Sequence, residues 1–172
     1  RHESGAVHCR NVTVRGNVFY GLRTAVAGLI VGQAGRLQNV RFVNNAFQFP
    51  GLKSPLVRAD ADLHGVSFAG NAYWSDADPG GWFYVGRRAM GFDEWVNATG
   101  EKDARRDELR FPDPKRNLQT YMASLGLEPT FEAFIAEVRK HSKANWRQEF
   151  TAAAVNDYLR AGFGVAPVRQ AD

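Results

Sequence analysis

Asn11-Val12-Thr13-Val14-Arg15-Gly16-Asn17-Val18-Phe19, Asn39-Val40-Arg41-Phe42-Val43-Asn44-Asn45-Ala46-Phe47 and Gly65-Val66-Ser67-Phe68-Ala69-Gly70-Asn71-Ala72-Tyr73 state one phrase three times. Each is an alternating strand, a small or polar pair ending in Asn, and an aromatic two residues on. The Asn residues recur at intervals of 28 and 26, and a fixed period in this range marks stacked repeats that share one core. Flanking residues return as well: Leu37 precedes Leu63 by 26, and Ile30-Val31 precedes Leu56-Val57 by 26. Several short strands per repeat are therefore expected, which predicts a parallel β-helix. An antiparallel sheet also gives alternating strands, but it does not require matching residues at one interval. A helical repeat is excluded, because Val12 and Val14, Val40 and Phe42, and Val66 and Phe68 have period two. Identical positions would stack about 4.8 Å apart, so Asn17, Asn45 and Asn71 are expected to form a ladder of amides that satisfies turn backbone groups. That role is structural.

The register set by the phrase also points to a site. Arg58, Asp60, Asp62 and His64 alternate with apolar residues, and a continuous strand would put all four on one outward face. This set is the candidate catalytic constellation: paired carboxylates serve as acid and base, Arg holds a uronate and His moves a proton. A carboxylate pair also suits calcium, which makes Asp60 and Asp62 the metal ligands to test; no other cofactor is expected. The residues 26 earlier are Gly32, Ala34, Arg36 and Gln38, small enough to leave a groove with Arg36 and Arg41 at its rim. The competing account is that exposed strands always alternate and that Asp60 and Asp62 simply turn the chain. Trp74, Trp82, Tyr84 and Trp95 offer apolar faces for sugar rings, with Trp74 and Trp82 the named substrate contacts; core packing is the alternative. His2, His8 and Cys9 match no standard zinc spacing.

The remaining chain reads in blocks. Residues 1–76 hold the repeats, 77–117 form an irregular final coil and connector, 118–165 are helical and 166–172 are a tail. Leu118, Tyr121, Met122 and Leu125 have helical spacing. Thr130 is a candidate N-cap for a helix burying Phe131, Phe134, Ile135 and Val138, and Thr151 starts another bearing Val155, Tyr158, Leu159 and Phe163. These amphipathic helices are expected to cap the open end of the β-coils. The mixed-charge stretch 101–110 reads as a solvated surface segment.

Length and charge narrow the function classes. A chain of 172 residues with 44% hydrophobic and 23% charged residues buries a core. Its net charge of +4 is dispersed, without the basic stripe that nucleic-acid binding requires. No apolar run is long enough for a bilayer span. The single Cys9 makes no internal disulfide. With only two and a half repeats, the N-terminal face is expected to be covered by preceding β-helix coils of a longer protein or by another chain.

The repeats, followed by Asn71-Ala72-Tyr73-Trp74-Ser75, by Phe92-Asp93-Glu94-Trp95 with Thr99-Gly100, and by a closing Asn145-Trp146-Arg147, Phe150-Thr151-Ala152 and Val155-Asn156-Asp157-Tyr158, resemble a known family. It is the closing portion of bacterial right-handed parallel β-helix proteins of the pectate-lyase-like superfamily. The resemblance implies a mainly β fold: right-handed parallel β-helix (solenoid) end coils plus an α-helical cap. It implies a secreted, extracellular or periplasmic, polysaccharide-active protein, either a lyase or a glycoside hydrolase on an acidic or plant or algal glycan. The alternative is a non-catalytic carbohydrate-binding or structural module. Where relatives carry a Gly-Gln-Asp-type stretch after Thr-Gly, this chain has Glu101-Lys102-Asp103-Ala104.

Overall fold

A computed structural model describes residues 9–21, 29–31, 37–51, 54–59 and 63–167. Among these residues ten strands form three sheets. Cys9–Arg15 (β1), Leu37–Val43 (β4) and Val66–Ala69 (β7) make one, and Val18–Tyr20 (β2), Ala46–Phe49 (β5) and Ala72–Ser75 (β8) a second. Leu29–Val31 (β3), Val57–Ala59 (β6), Phe83–Val85 (β9) and Arg88–Met90 (β10) make the third. Helix α1 spans Phe92–Thr99, α2 Leu118–Ser124, α3 Phe131–Arg139 and α4 Ala152–Gly162. The chain divides into two compact units, Arg1–Leu109 and Arg110–Asp172. No helix among the described residues is long and apolar enough to cross a membrane.

The expectation of right-handed β-helix end coils under a helical cap is corrected by this arrangement. The strands form small sheets, two of three parallel strands and one mixed sheet of four, rather than a solenoid. In the third sheet the parallel pattern stops at β9, because the two-residue turn Gly86-Arg87 reverses the chain and pairs β10 antiparallel to β9. Helices α2 to α4 belong to the second unit, and α1 to the first. The repeat intervals dictate which strands pair; they do not dictate that the pairing continues.

The Asn column behaves as its spacing predicts. Asn45 Oδ1 accepts from the backbone N–H and the Nδ2 of Asn17 at 3.0 and 3.2 Å, and Asn71 Oδ1 does the same for Asn45 at 2.8 and 3.1 Å. Each interior amide also donates backward, Asn45 to the Val14 carbonyl and Asn71 to that of Phe42. Asn45 and Asn71 are 2% and 0% exposed, so every polar atom here needs a partner. Two residues on, Phe19, Phe47 and Tyr73 stack with ring centroids 4.8 and 5.4 Å apart. Phe42, Phe68, Phe83 and Trp95 belong to the same core, each fully buried side chain contributing about 1.5–3 kcal/mol.

The stretch 101–110, expected to be a solvated surface segment, instead begins inside the protein. Glu101 is 4% exposed and takes the place of the next Asn. Its Oε1 accepts from Asn71 N and Nδ2, and its Oε2 from Tyr73 Oη and Trp95 Nε1. Lys102 and Arg105 then pair with the edges of β7 and β8. Leu109 exchanges two hydrogen bonds with the buried Gln48 amide. The mixed charges misled because Lys102, Asp103, Arg105 and Arg106 are indeed exposed, while the one acid that enters the core looks the same in sequence.

In the second unit Asn117, Thr130 and Thr151 accept from the third backbone N–H of α2, α3 and α4 respectively, as capping residues do. Tyr121 and Met122 are buried, whereas Phe131, expected on the packed face of α3, is 59% exposed. It occupies the first position of its helix, one turn ahead of Phe134, which packs against Phe150.

The turns impose a backbone requirement that differs between repeats. Asn11, Asn39 and Gly65 share a register position and all have positive φ, as do Gly16, Asn44 and Gly70. A Cβ on Gly65 would run into the Leu37 carbonyl oxygen, whereas one on Gly16 would meet open space. Gly65→Ala should therefore lower the free energy of urea unfolding by more than about 2 kcal/mol, and Gly16→Ala by only the roughly 1 kcal/mol of left-handed strain. Equal losses would refute the close approach.

Candidate functional site

Strand β6 buries Val57 and Ala59 completely and turns Arg58 outward, half-buried. In register with Arg58 are Ile30 of β3 and Tyr84 of β9. The interval from β3 to β6 is thus 28, not the 26 read from the likeness of Ile30-Val31 to Leu56-Val57. A shift of two residues leaves the inward and outward faces unchanged, so apolar pattern cannot detect it; the Asn17 to Asn45 interval of 28 carried the right value.

Beside Arg58 the surface opens into a cleft of about 760 Å³, lined by Arg58, Tyr84, Asp76 and Asp78, with Gly51, Pro55, Ala77 and Gly81. The loop that supplies the two acids is held from both sides. Asp76 Oδ2 accepts from Gly51 N at 2.8 Å, and Asp78 Oδ1 from Gly80 N at 3.1 Å. Ser75 Oγ accepts from Ala77 N, and Trp82 Nε1 donates to the Ala77 carbonyl. Each carboxylate thus uses one oxygen to fix the loop, and Tyr84 and Arg58 present a ring and a fork of donors. Asp76, Asp78 and Arg58 together have a formal charge of −1. Such a wall suits a hydroxyl-rich ligand better than an anion, because the acids accept from hydroxyls and repel carboxylates.

The sequence-derived site is only partly assembled here. Arg58 lines the cleft. Asp60, Asp62 and Arg36, and with the first two the expected calcium site, lie outside the described residues, as do His2 and His8. His64 stands exposed in a turn before Gly65 rather than on a strand. Arg41 is exposed on β4, paired with Thr13 and Ser67 in a different sheet from Arg58. Trp74 is half-buried on β8. Trp82 is 3% exposed and packs in the core with the Arg106 guanidinium 5.9 Å from its ring centroid, which leaves no face for a sugar. Among the described residues no group of three or more His, Cys, Asp or Glu is placed to hold a metal ion.

Asp76 and Asp78 were missed as site residues because Asp76-Ala77-Asp78-Pro79-Gly80-Gly81 reads as a break between strands. The available signal was the repeat interval: Tyr84 is 26 residues after Arg58, as Asn71 is after Asn45, and the loop that leads into Tyr84's strand brings both acids to the cleft beside Arg58. Glu101 needs separate consideration, since a buried carboxylate is a usual mark of chemistry. All four of its hydrogen bonds come from groups of the protein itself, so it is a structural terminator. The chain matches no protein-family model, no curated protein and no solved structure.

Burial, and next the Glu101 carboxylate beside it, push the Tyr73 phenol above its ordinary range. Unfolded tyrosine ionises near pH 10, so at higher pH the unfolded chain releases a proton that the folded chain keeps. This contribution is complete below that pH and is lost as pH rises above it. Tyr73→Phe should lose about 1–3 kcal/mol at neutral pH with its hydrogen bond, yet its urea midpoint should fall less steeply than that of the wild type between about pH 9 and pH 11. Parallel alkaline limbs would show that Tyr73 does not contribute.

Proposed function

We propose that the first unit binds the sugar units of a polysaccharide in the cleft at Arg58, as part of a secreted polysaccharide-active protein. One observation carries the reading: a half-buried guanidinium and a tyrosine lie on adjacent strands beside two carboxylates whose positions are fixed by backbone N–H groups. Fixed acceptors, a planar donor fork and an aromatic ring are what recognition of vicinal hydroxyls uses. The closing residues that resemble secreted sugar-active proteins support the same ligand class.

The charge of the wall favours hydrolysis over β-elimination where this site turns over its ligand. Elimination holds a uronate carboxylate, and the −1 wall opposes one; an acid and base pair is what hydrolysis needs, and Asp76 and Asp78 supply it. Calorimetric titration with cellotriose and xylotriose should give binding that Arg58→Ala weakens at least about tenfold, the usual scale for an anchoring Arg, with the unfolding free energy changed by less than about 1 kcal/mol. Asp76→Asn with Asp78→Asn keeps a side-chain acceptor for each backbone N–H; it should retain binding and abolish reducing-end release. Unaltered affinity in Arg58→Ala would remove the cleft as the site, and binding by the wild type with no release of reducing ends from either oligosaccharide would remove hydrolysis.

A further inference from the structure

The second unit has a cleft of its own, about 670 Å³, between the C-terminal end of α3 and the start of α4. That size lies within the ~300–1,000 Å³ of ligand sites. Val138, His141, Trp146 and Phe150 give it walls that are mostly rings, and Gln148 and Thr151 add polar groups. The His141 ring lies 6.0 Å from Phe150, which is 4% exposed, and 5.1 Å from Trp146, which is 69% exposed. Phe150 is therefore its inner neighbour and the indole its outer one. His141 Nε2 is buried with no hydrogen-bond partner among the described residues. A polar atom so placed asks for a partner, because desolvation without a hydrogen bond is costly.

The cleft selects first by charge. Among the described residues its walls hold no Arg, Lys, Asp or Glu, and the ions that flank it in the chain are spent on one another. Glu137 pairs with Lys140 and Arg147 at 2.6 Å, and Glu149 with Arg147 at 3.0 Å. A charged ligand would leave water without a counter-ion, so the occupant is neutral. The cleft selects next by hydroxyl count. The Thr151 hydroxyl already donates to the Gln148 carbonyl and accepts from Ala154 N, which leaves few polar groups beyond the exposed Gln148 amide and the His141 nitrogen. A sugar ring brings a hydroxyl on nearly every carbon and would bury several unpaired. A plain hydrocarbon would leave Nε2 as it is.

We infer that this cleft binds a hydroxyphenyl group, whose ring packs among Val138, Trp146 and Phe150 while its hydroxyl donates to His141 Nε2. A phenol combines a flat apolar body with a single donor, which is what these walls can satisfy. Nε2 is closed from water beneath the indole, so Trp146 swings outward to admit the ligand and then flanks it. Exposed side chains change rotamer within picoseconds to nanoseconds, so this opening is fast. The inference stands independently of the Arg58 reading, since the ligand, the residues and the unit all differ.

The test is calorimetric titration of the full chain with p-cresol and with 4-methylanisole, which keeps the ring and the methyl group but has no O–H. The wild type should bind p-cresol with a dissociation constant of about 1 mM or tighter, within the ceiling for so small a ligand. It should bind 4-methylanisole at least about fivefold more weakly, the scale of one net hydrogen bond. His141→Phe keeps a ring and removes the nitrogen; it should bind the two ligands alike and keep the near-ultraviolet spectrum of the wild type. In proton NMR the indole N–H resonance that Trp146→Phe removes should be the one that p-cresol shifts in the wild type, and Arg58→Ala should change neither result. Acetyl-tyrosinamide separates two sources of the same group: binding as tight as that of p-cresol assigns a tyrosine side chain, and exclusion assigns a free phenol. Absence of p-cresol binding at about 10 mM, equal wild-type affinity for the two ligands, a preference retained in folded His141→Phe, or a shift at another indole would each overturn the inference. The wild-type comparison decides without any variant, so a His141→Phe chain that fails to fold leaves the test standing. Cellotriose binding that depends on Arg58, with no p-cresol response, would fail this site and leave the first intact.

Discussion

The carboxylate of Glu101 meets four donors in the core of the first unit, and the column of asparagines above it depends on that meeting. Each amide in the column passes its donors to the oxygen of the next, so the chain of hydrogen bonds must end on a group that only accepts. A carboxylate is the one side chain that offers two oxygens and no donor. Glutamine would bring an amide NH₂ among donors, and an apolar residue would orphan Asn71, Tyr73 and Trp95 together. Charge-assisted bonds of this kind are stronger than neutral ones, and their multiplicity is what makes a carboxylate at 4% exposure tolerable.

From that fixed point the site is positioned through strand register. The asparagines tie the β1–β2, β4–β5 and β7–β8 turns to one another, the aromatic stack fills the space beneath, and β6 is left with Val57 and Ala59 inside and Arg58 outside. Loop 76–82 then closes on the sheet through Asp76, Ser75 and Trp82. Arg58 is therefore placed by backbone pairing and the acids by backbone donors, so the cleft is held in shape by the fold itself. Preorganisation of this sort spares the ordering cost that a flexible site meets on binding.

Much of this was legible in the residues. The Asn column, the Phe19, Phe47 and Tyr73 stack and the Thr130 and Thr151 caps follow from spacing and local chemistry, and each is present. The fold as a whole was over-read, because a returning interval fixes neighbours and says nothing of where a two-residue turn will reverse the chain. Glu101 was hidden in a run of charges whose other members are solvated. His64 was grouped with Arg58 on the assumption of a straight strand, whereas it lies in a turn. Asp76 and Asp78 were hidden for a different reason: turn residues and site residues share the same short polar side chains, and only the closing of the loop onto β6 separates the two roles.

Equilibrium unfolding of Glu101→Ala tests the account most directly. With four donors left unpartnered at about 1–3 kcal/mol each, the first unit should lose several kcal/mol, enough to unfold it at room temperature given the roughly 5–15 kcal/mol of a typical domain. Near-ultraviolet dichroism of the core aromatics should be lost while the helical signal of α2 to α4 remains. A variant that unfolds within about 1 kcal/mol of the wild type, with its near-ultraviolet spectrum intact, would contradict the claim that this carboxylate holds the column.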